Sequence, residues 1–280
     1  MNIGIVGLGL IGGSLGLDLR KLGFSVLGVS RKEETCKQAV KMGAVDEASL
    51  NLSILNQAEL IFIATPIAAI APTLHNLLPY LSPETIVTDV GSVKTEIVTT
   101  CAQLWYNFIG SHPMAGKIEQ GITAAQNNLF QNTPYVITPT DSTPVDSVSK
   151  LAEIVSLLGC RVYYCSPQEH DQAVAWISHL PVMISASLID ACLQEKQPEV
   201  LNLAKQLASS GFRDTSRVGG GNVELGVMMA KYNRQQILRS LLEYQNSLTT
   251  LTQYLETENW EALTAYLENT QNSRPDFYEG

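Results

Sequence analysis

Short apolar runs alternate with longer amphipathic stretches through the first half of the chain. The runs are rich in β-branched residues and predict strands. These strands cover residues 2–6, 25–29, 60–64, 85–88, 107–110, 135–138 and 161–164. Strands that alternate with helices are typical of a doubly wound, mostly parallel α/β sheet. Because such sheets bind ligands at the carboxyl ends of their strands, we expect the chemistry in residues 65–66, 89–94 and 111–116.

From residue 166 onward the pattern changes to helices without strands. The periodicity predicts helices over residues 171–193, 200–209, 223–232 and 234–256. In the last of these, apolar residues recur at alternating spacings of four and three, a heptad seam formed by Ile237, Leu241, Tyr244, Leu248, Leu251 and Leu255. A seam of this kind lies inside one bundle or between two chains, and so many apolar helices favour a homodimer. We therefore predict an α/β domain over residues 1–165 and an all-helical dimerisation domain over residues 166–280.

The first predicted strand leads into a helix, expected over residues 11–22, through the glycines Gly7, Gly9 and Gly12, in the arrangement G-x-G-x-x-G. In a Rossmann-type βαβ unit the first glycine permits a tight turn, the second lets the backbone approach a pyrophosphate, and the third lets the helix pack on the strand. The unpaired N–H groups at the start of the helix, which include those of Leu10 and Ile11, would hold the phosphates. The motif therefore predicts a dinucleotide-binding domain.

The end of the second strand indicates which dinucleotide would bind. An NAD site usually places an acidic residue there to bind the ribose 2′-hydroxyl group. This chain has Ser30, Arg31 and Lys32 instead, and a hydroxyl and a guanidinium can hold a 2′-phosphate through charge-assisted hydrogen bonds. We therefore predict NADP as the cofactor, with Thr65 and Pro66 also lining its site. The alternative is that Arg31 and Lys32 only occupy the exposed start of the next helix.

Composition and charge restrict the class of protein. The 280 residues are 45% hydrophobic with a net charge of −9, which suffices for two cores and disfavours nucleic acid or an anionic membrane as a partner. A secretory signal would require a positively charged start, but no Lys or Arg precedes Arg20. The longest candidate membrane span, residues 60–71, is too short and contains Pro66. The five cysteines form no C-x-x-C pair, so we expect a cytoplasmic protein without metal or disulfides.

Two of the four histidines, His112 and His179, are candidate chemical groups. His112 precedes a proline and is expected just past the end of the 107–110 strand, where an imidazole could take a proton as a hydride leaves the same carbon. A histidine that is simply buried is the alternative. His75 lies in a helical pattern, and His170 is expected to cap or orient the start of a helix.

Five motifs together resemble the prephenate/arogenate dehydrogenases of tyrosine biosynthesis. They are GLGLIGGS, DVGSVK, GSHPMAG, EHDQAVAWISHLP and GFRDTSR, and they span the chain from Gly7 to Arg217. The resemblance implies that His112 is the base for the ring 4-hydroxyl group, with Ser92 as its orienting partner. It also implies that His179 and Arg217 line the substrate pocket, and that the reaction is an oxidative decarboxylation with hydride transfer to NADP.

Two departures from the family's motifs bear on the substrate. Many members read SHLPH where this chain has Val182, and prephenate-using relatives often carry tryptophan where it has Gly226. By analogy with the family, these departures and the expected NADP preference favour arogenate, which carries an amino acid side chain in place of the pyruvyl side chain of prephenate. Prephenate remains the alternative substrate.

Two other classes of protein share part of the pattern. A β-hydroxyacid or 6-phosphogluconate type dehydrogenase also joins a Rossmann half to a helical half, but it generally uses a lysine on the first long helix of the second half. Residues 171–193 contain no lysine. An NADP-sensing regulator would bind the cofactor without turnover, and it would not require Ser92, His112 and Arg217 together.

Overall fold

The computed structural model describes residues 1–117 and 119–277, and an eight-stranded sheet forms its centre. The strands are β1 (Asn2–Val6), β2 (Ser25–Val29), β3 (Glu47–Ser49), β4 (Leu60–Ile63), β5 (Ile86–Asp89), β6 (Phe108–Pro113), β7 (Pro134–Thr138) and β8 (Arg161–Tyr164). Their spatial order is β3-β2-β1-β4-β5-β6-β7-β8. Strands β1 to β6 are parallel, whereas β7 runs antiparallel to β6. The strand order reverses between β1 and β4, the point at which such sheets bind ligands.

Helices cover both faces of this sheet, as a doubly wound fold requires. They are α1 (Leu10–Lys21), α2 (Glu33–Lys41), α3 (Ile70–Leu77), α4 (Thr95–Leu104) and α5 (Val145–Leu157). One apolar core includes Leu15 of α1, and a second includes Leu74 of α3 and Cys101 of α4. The alternation of side chains along each strand supplies both cores, since Ile5 enters the first and the next residue, Val6, enters the second. The predicted α/β fold class is therefore confirmed.

Strand β6 differs from its prediction in a way that matters for the site. The sequence pattern predicts it over residues 107–110, but it extends to Pro113. The additional residues pair with β7, with His112 opposite Val136 and Pro113 opposite Tyr135. The prediction that His112 lies just past a strand end is therefore wrong, because an antiparallel neighbour continues the strand. The pattern does not predict the three-residue β3, since a strand so short shows no period.

The second half is helical, as predicted, with more breaks than the sequence pattern indicates. It contains α6 (Pro167–Val174), a π-helical turn (Ala175–His179), α7 (Leu180–Leu193), α8 (Pro198–Leu207), α9 (Ser210–Ser216), a 3₁₀ turn (Arg217–Gly220), α10 (Val223–Tyr232), α11 (Arg234–Glu256) and α12 (Trp260–Ser273). Helix α6 begins four residues before the predicted 171, because Ser166 and Glu169 form a capping box. The prediction that His170 caps this helix is wrong for the same reason.

The helical run Pro167–Leu193 is, by length and composition alone, long and apolar enough to cross a membrane. The expectation that residues 60–71 are the longest such candidate is therefore wrong, because α6, the π turn and α7 form one run of 27 residues. Three of its polar residues, His170, Asp171 and His179, are buried inside the protein. These buried groups tie the start of the run to the folded chain.

Contacts divide the chain into two compact units, residues 1–233 and 234–280. In the second unit α11 packs on α12, and the rings of Tyr254 and Tyr266 meet edge to face with centroids 6.4 Å apart. Of the predicted heptad seam on α11, Ile237 is buried, whereas Leu248 and Leu255 are about half exposed at 46% and 55%. The seam is thus only partly covered in the single chain.

Candidate active site

The glycine loop between β1 and α1 leaves open space where the helix begins. Gly7 has a φ of +101°, and a Cβ there would lie 2.5 Å from the carbonyl oxygen of Ala64. A Cβ on Gly12 would lie 2.0 Å from the carbonyl oxygen of Gly7, so α1 approaches β1 too closely for a side chain. No atom lies within 4 Å of the position that a Cβ on Gly9 would take. Gly9 therefore borders empty space at the helix N-terminus.

This space has the groups that a dinucleotide phosphate needs. Helix α1 begins at Leu10, and Gly9 offers no side-chain cap, so the N–H groups of Leu10 and Ile11 have no acceptor within the helix. The buried Oγ1 of Thr65, which follows β4, has no hydrogen-bond partner among the described residues, and Pro66 beside it is exposed. These residues fit a bound pyrophosphate and, with it, a nicotinamide that would accept a hydride.

The residues after β2 present positive charge to solvent. Arg31 and Lys32 are exposed, and neither takes part in an ion pair within residues 1–117 and 119–277. The following acid, Glu33, is instead paired with Lys37 at 2.8 Å, and this hydrogen bond lowers the pKa of Glu33. Ser30 Oγ accepts only a long 3.4 Å hydrogen bond from the Lys32 amide. Neither positive charge is neutralised by the acids nearby.

His112 lies in β6 at the same edge of the sheet and is buried. Its Nδ1 atom is 2.9 Å from Nε2 of His170, and the two rings meet edge to face. Nδ1 of His170 is in turn 2.8 Å from a carboxylate oxygen of Asp171. A chain of three buried groups thus runs from the sheet edge to α6.

Asp171 is held by the N-terminus of α4. Its two carboxylate oxygens accept the backbone N–H groups of Lys94 and Thr95 at 2.7 Å and 2.8 Å. Burial alone would raise the pKa of Asp171, but hydrogen bonds from His170, Thr95 and Lys94 lower it below its ordinary value. A carboxylate in this position is ionised and also favoured by the helix dipole.

A buried ion pair joins Asp89 at the end of β5 to Lys94 at the start of α4. The ammonium group of Lys94, which is fully buried, contacts a carboxylate oxygen of Asp89. Asp89 also accepts the backbone N–H groups of Gly91 at 2.8 Å and of Ser111 at 3.2 Å. The pair therefore fixes the loop of residues 89–94 against the strand that carries His112.

The pKa of His112 lies well below 6.5, and burial is the main cause. Repulsion from His170, Lys94 and His179 in their protonated forms lowers it further. Burial also lowers the pKa of His170, although Asp171 acts in the opposite direction. Both imidazoles are therefore neutral at pH 7, so His112 is available to accept a proton.

His179 is the last residue of the π turn and is completely buried. Its Nδ1 is 3.1 Å from Nδ2 of Asn233, which also donates to the backbone carbonyl of Asp171 at 2.8 Å. Burial lowers the pKa of His179 to about 4, against the opposing effect of Asp171. Its Nε2 atom is buried without a partner in the described part of the chain.

The structure brings together some of the predicted site residues and leaves others apart. Ser92 Oγ is buried without a hydrogen-bond partner among the described residues, so the predicted bond from Ser92 to His112 is not formed and His170 takes that place. Arg217 is exposed at the start of the 3₁₀ turn that packs on α7, and no described contact joins it to the histidines.

Besides His170, four buried residues of the site were assigned no individual role from the sequence, namely Asp89, Lys94, Asp171 and Asn233, although residues 89–94 were expected to hold the chemistry. The DVGSVK motif contains the first two, and the His-Asp pair at residues 170–171 was the only local signal of the third. Asn233 ends an ordinary amphipathic helix, so nothing nearby marks it.

A phosphate cradle and a buried, neutral histidine at the same sheet edge define a nucleotide-dependent dehydrogenase. Residues 15–164 match the family model of the prephenate dehydrogenase nucleotide-binding domain, and residues 166–269 match that of the prephenate dehydrogenase dimerization domain. The chain therefore belongs to the prephenate/arogenate dehydrogenase family of enzymes. Because both halves match one family, the two other classes considered from the sequence are set aside.

Known proteins of this family resemble the chain over nearly its whole length. Prephenate dehydrogenase of Bacillus subtilis is 31% identical over 277 residues, which cover 96% of this chain and 74% of that protein. The crystal structure of Synechocystis arogenate dehydrogenase is 53% identical, with a TM-score of 0.91 over 99% of this chain and 100% of that one. Prephenate dehydrogenase of A. aeolicus, in complex with hydroxyphenyl propionate and NAD+, is 26% identical, with a TM-score of 0.93 over 99% and 98%.

Proposed function

We propose that the chain is an arogenate dehydrogenase that uses NADP and forms tyrosine by oxidative decarboxylation. NADP supplies the hydride acceptor when it is bound. As hydride leaves C4 of the ring, His112 takes the proton of the 4-hydroxyl group. The bond between the ring and its carboxylate then breaks and carbon dioxide leaves. The electron pair of that bond stays with the ring and makes it aromatic. His112 returns the proton to the phenolate oxygen, so no net proton is consumed.

The observation that carries this proposal is the buried, neutral His112 in a strand that ends at the same edge of the sheet as the dinucleotide cradle. A base must be unprotonated to accept a proton, and the low pKa of His112 satisfies that condition at neutral pH. The positive charge that forms on His112 during the reaction is stabilised through His170 by the Asp171 carboxylate. No other histidine in the described residues lies within a β-strand.

Two further buried atoms would bind the substrate. Ser92 Oγ and His179 Nε2 both lack partners within residues 1–117 and 119–277, and leaving a buried polar group unpaired costs about 1–3 kcal/mol unless a ligand satisfies it. Arg217 is exposed and free of described ion pairs, and its planar guanidinium would bind a substrate carboxylate through two oxygens. We assign all three to substrate binding.

The choice of arogenate rests on two positions and one relative. Val182 follows His179 by three residues on a helix, so the two side chains lie on one face, and valine offers the substrate no charge or hydrogen bond. A Cβ on Gly226 would meet no atom within 4 Å, which leaves room where relatives carry tryptophan. The Synechocystis protein, 53% identical over its whole length, is an arogenate dehydrogenase.

The choice of NADP rests on Ser30, Arg31 and Lys32. Their exposed charges are not neutralised by acids nearby, and they follow β2, where a 2′-phosphate would lie in a fold of this type. The A. aeolicus relative was crystallised with NAD+, and it is only 26% identical to this chain.

A steady-state comparison tests substrate and cofactor together. Arogenate and prephenate are each supplied with NAD and with NADP, and reduced cofactor is followed by absorbance at 340 nm. We expect kcat/KM to be highest for arogenate with NADP. A higher value with prephenate would overturn the substrate assignment, and a higher value with NAD would overturn the cofactor assignment independently.

We also propose that the chain forms a homodimer through its helical half and acts in the cytoplasm. Residues 166–269 match a dimerization domain, and the half-exposed seam on α11 leaves apolar surface to be covered. Sedimentation equilibrium at micromolar concentration should give about twice the 30.5 kDa of one chain. A single 30.5 kDa species would refute the dimer.

A further inference from the structure

Asp171 is connected to His112 through His170 and to His179 through Asn233. Its carboxylate contacts Nδ1 of His170, whose Nε2 contacts Nδ1 of His112. Its backbone carbonyl accepts a hydrogen bond from Asn233, which also contacts Nδ1 of His179. One buried residue thus connects to the Nδ1 atoms of two imidazoles.

The carboxylate determines where His112 carries its proton. An ionised Asp171 can only accept hydrogen bonds, so Nδ1 of neutral His170 must carry the proton of that ring. Nε2 of His170 is then an acceptor, and the 2.9 Å contact requires Nδ1 of His112 to be the donor. A neutral His112 with its proton on Nδ1 has a bare Nε2, which is a proton acceptor.

The carbonyl determines where His179 carries its proton. A carbonyl can only accept, so the side-chain atom of Asn233 that contacts it must be the amide nitrogen. This orientation directs the second amide hydrogen to Nδ1 of His179. Nδ1 is then an acceptor, and the proton of neutral His179 lies on the buried, unpartnered Nε2.

We propose that Asp171, acting through His170 and Asn233, holds His112 and His179 in opposite tautomers before any ligand binds. His112 presents a proton acceptor at Nε2, and His179 presents a hydrogen-bond donor at Nε2. His170 and Asn233 are positioning residues, since they act through the histidines. The consequence for catalysis rests on the proposed function, because it requires one histidine to take a proton and the other to bind an oxygen of the substrate.

The reverse arrangement would disable the base. If His170 donated from Nε2, His112 would have to carry its proton on Nε2 and could not accept another there. Without Asn233, His179 would be free to place its proton on either nitrogen, and the buried donor would be lost for part of the time. The network therefore removes two unproductive states that the imidazoles would otherwise populate.

Nitrogen-15 NMR of histidine-labelled protein tests the tautomers directly and without substrate. The chain has four histidines, so the ring signals can be assigned by single substitutions. We expect ligand-free protein at pH 7.5 to show His112 protonated at Nδ1 and His179 protonated at Nε2. Either ring in the other tautomer would overturn the proposal, whether or not the enzyme turns over arogenate.

The variant Asn233→Leu separates the two branches of the network. Leucine has a similar volume but cannot donate, so His179 should become a mixture of tautomers while the signals of His112 stay unchanged. The KM of the preferred substrate should rise about tenfold with kcat within about twofold, as expected for a lost binding contact. An unchanged His179 signal and unchanged KM would show that Asn233 does not set this tautomer.

Asn107→Leu is the matched control. Asn107 is also a buried asparagine that donates to backbone carbonyls, those of Glu84 and Thr85, but it contacts neither histidine. It should lose stability to a similar degree with both histidine signatures and KM unchanged. If the control raises KM as much as Asn233→Leu does, the effect is structural and the assignment of Asn233 fails.

His170→Phe tests the other branch. A phenyl ring fills the space but offers His112 no acceptor, so the His112 signals should shift towards a mixture of tautomers. We expect kcat to fall about tenfold or more with KM little changed, because the base is then correctly protonated for only part of the time. Retention of both the signals and kcat would overturn the role of His170.

Discussion

At the scale of single residues, the charge at Arg31 decides the proposed cofactor preference. Arg31→Asp removes a charge-assisted contact to a 2′-phosphate and adds a repulsive carboxylate. Because such contacts contribute about 1.5–3 kcal/mol, kcat/KM with NADP should fall roughly 10- to 100-fold while that with NAD changes little. Steady-state rates with both cofactors measure the ratio. Lys41→Asp, the same charge change at the exposed end of α2, should leave the ratio unchanged.

His112→Asn should separate catalysis from binding. Asparagine preserves a hydrogen bond to the substrate but cannot act as the base, so kcat should fall roughly 10²- to 10⁴-fold with little change in KM. Normal turnover by this variant would move the base elsewhere, with His179 as the next candidate.

The pH profile of the parent enzyme adds a second readout for His112. The neutral form is active and its pKa lies well below 6.5, so kcat/KM should stay level from pH 7.5 to 6.5 and decline only at more acidic pH. Besides burial, the neighbours that lower the pKa of His112 are His170, Lys94 and His179. An inflection at or above pH 6.5 would show that burial does not lower this pKa.

The residues of the site differ in whether the sequence around them identifies them. His112 and His179 lie in motifs that could be recognised locally. Asn233, by contrast, meets His179 across 54 positions and Asp171 across 62, so only the packed fold brings them together. In the structure Ser92 forms no hydrogen bond to His112, whose hydrogen-bond neighbour, His170, comes from 58 residues further along the chain.

At the scale of elements, the junction of β1 and α1 makes a prediction about two glycines. Gly12→Ala would place a methyl group 2.0 Å from the carbonyl oxygen of Gly7, so it should lower the melting temperature of the ligand-free protein. Gly9→Ala meets no protein atom within 4 Å, so it should leave that temperature unchanged yet weaken cofactor binding by filling the phosphate space. Thermal unfolding and cofactor titration of both variants measure the contrast. Equal effects on stability would contradict it.

The elements that were predicted well are those with strong periodicity. Arg234–Glu256 has the predicted bounds, since it presents a regular apolar stripe, and Val223–Tyr232 also has its predicted bounds. The extension of β6 depends on pairing with β7, and the break between α6 and α7 depends on an extra residue in one turn. Pairing partners and turn insertions leave no trace in a hydrophobic pattern, so both were missed.

At the scale of the whole molecule, three buried histidines make stability depend on pH. The pKa values of His112, His170 and His179 are all lower in the folded chain than the ordinary 6.5, so the unfolded chain binds more protons below that pH. The contribution of these histidines to the free energy of unfolding should therefore be level above pH 7 and fall as the pH drops from 6.5 towards about 4, the pKa of His179. Each group contributes up to about 1.4 kcal/mol per pH unit.

Urea unfolding at fixed protein concentration from pH 7.5 to 5 measures this dependence. His179→Asn should flatten it, because one of the three groups is removed. His75→Gln, a substitution of the exposed histidine on α3, is the matched control and should leave the slope as it is in the parent protein. Stability that rises on acidification through this range would contradict the burial of neutral imidazoles.

The π turn between α6 and α7 has a consequence for the descent of this chain. Such a turn holds one residue more than the α-helix around it, as a single inserted amino acid would leave it. The five residues of this turn span nearly the same rotation as four residues of an α-helix at about 100° each, so the loss of one residue would return the turn to α-helical geometry with α7 facing nearly as before. A one-residue gap at this turn in a homologue would therefore mark the loss of the wider turn and not the loss of the pocket.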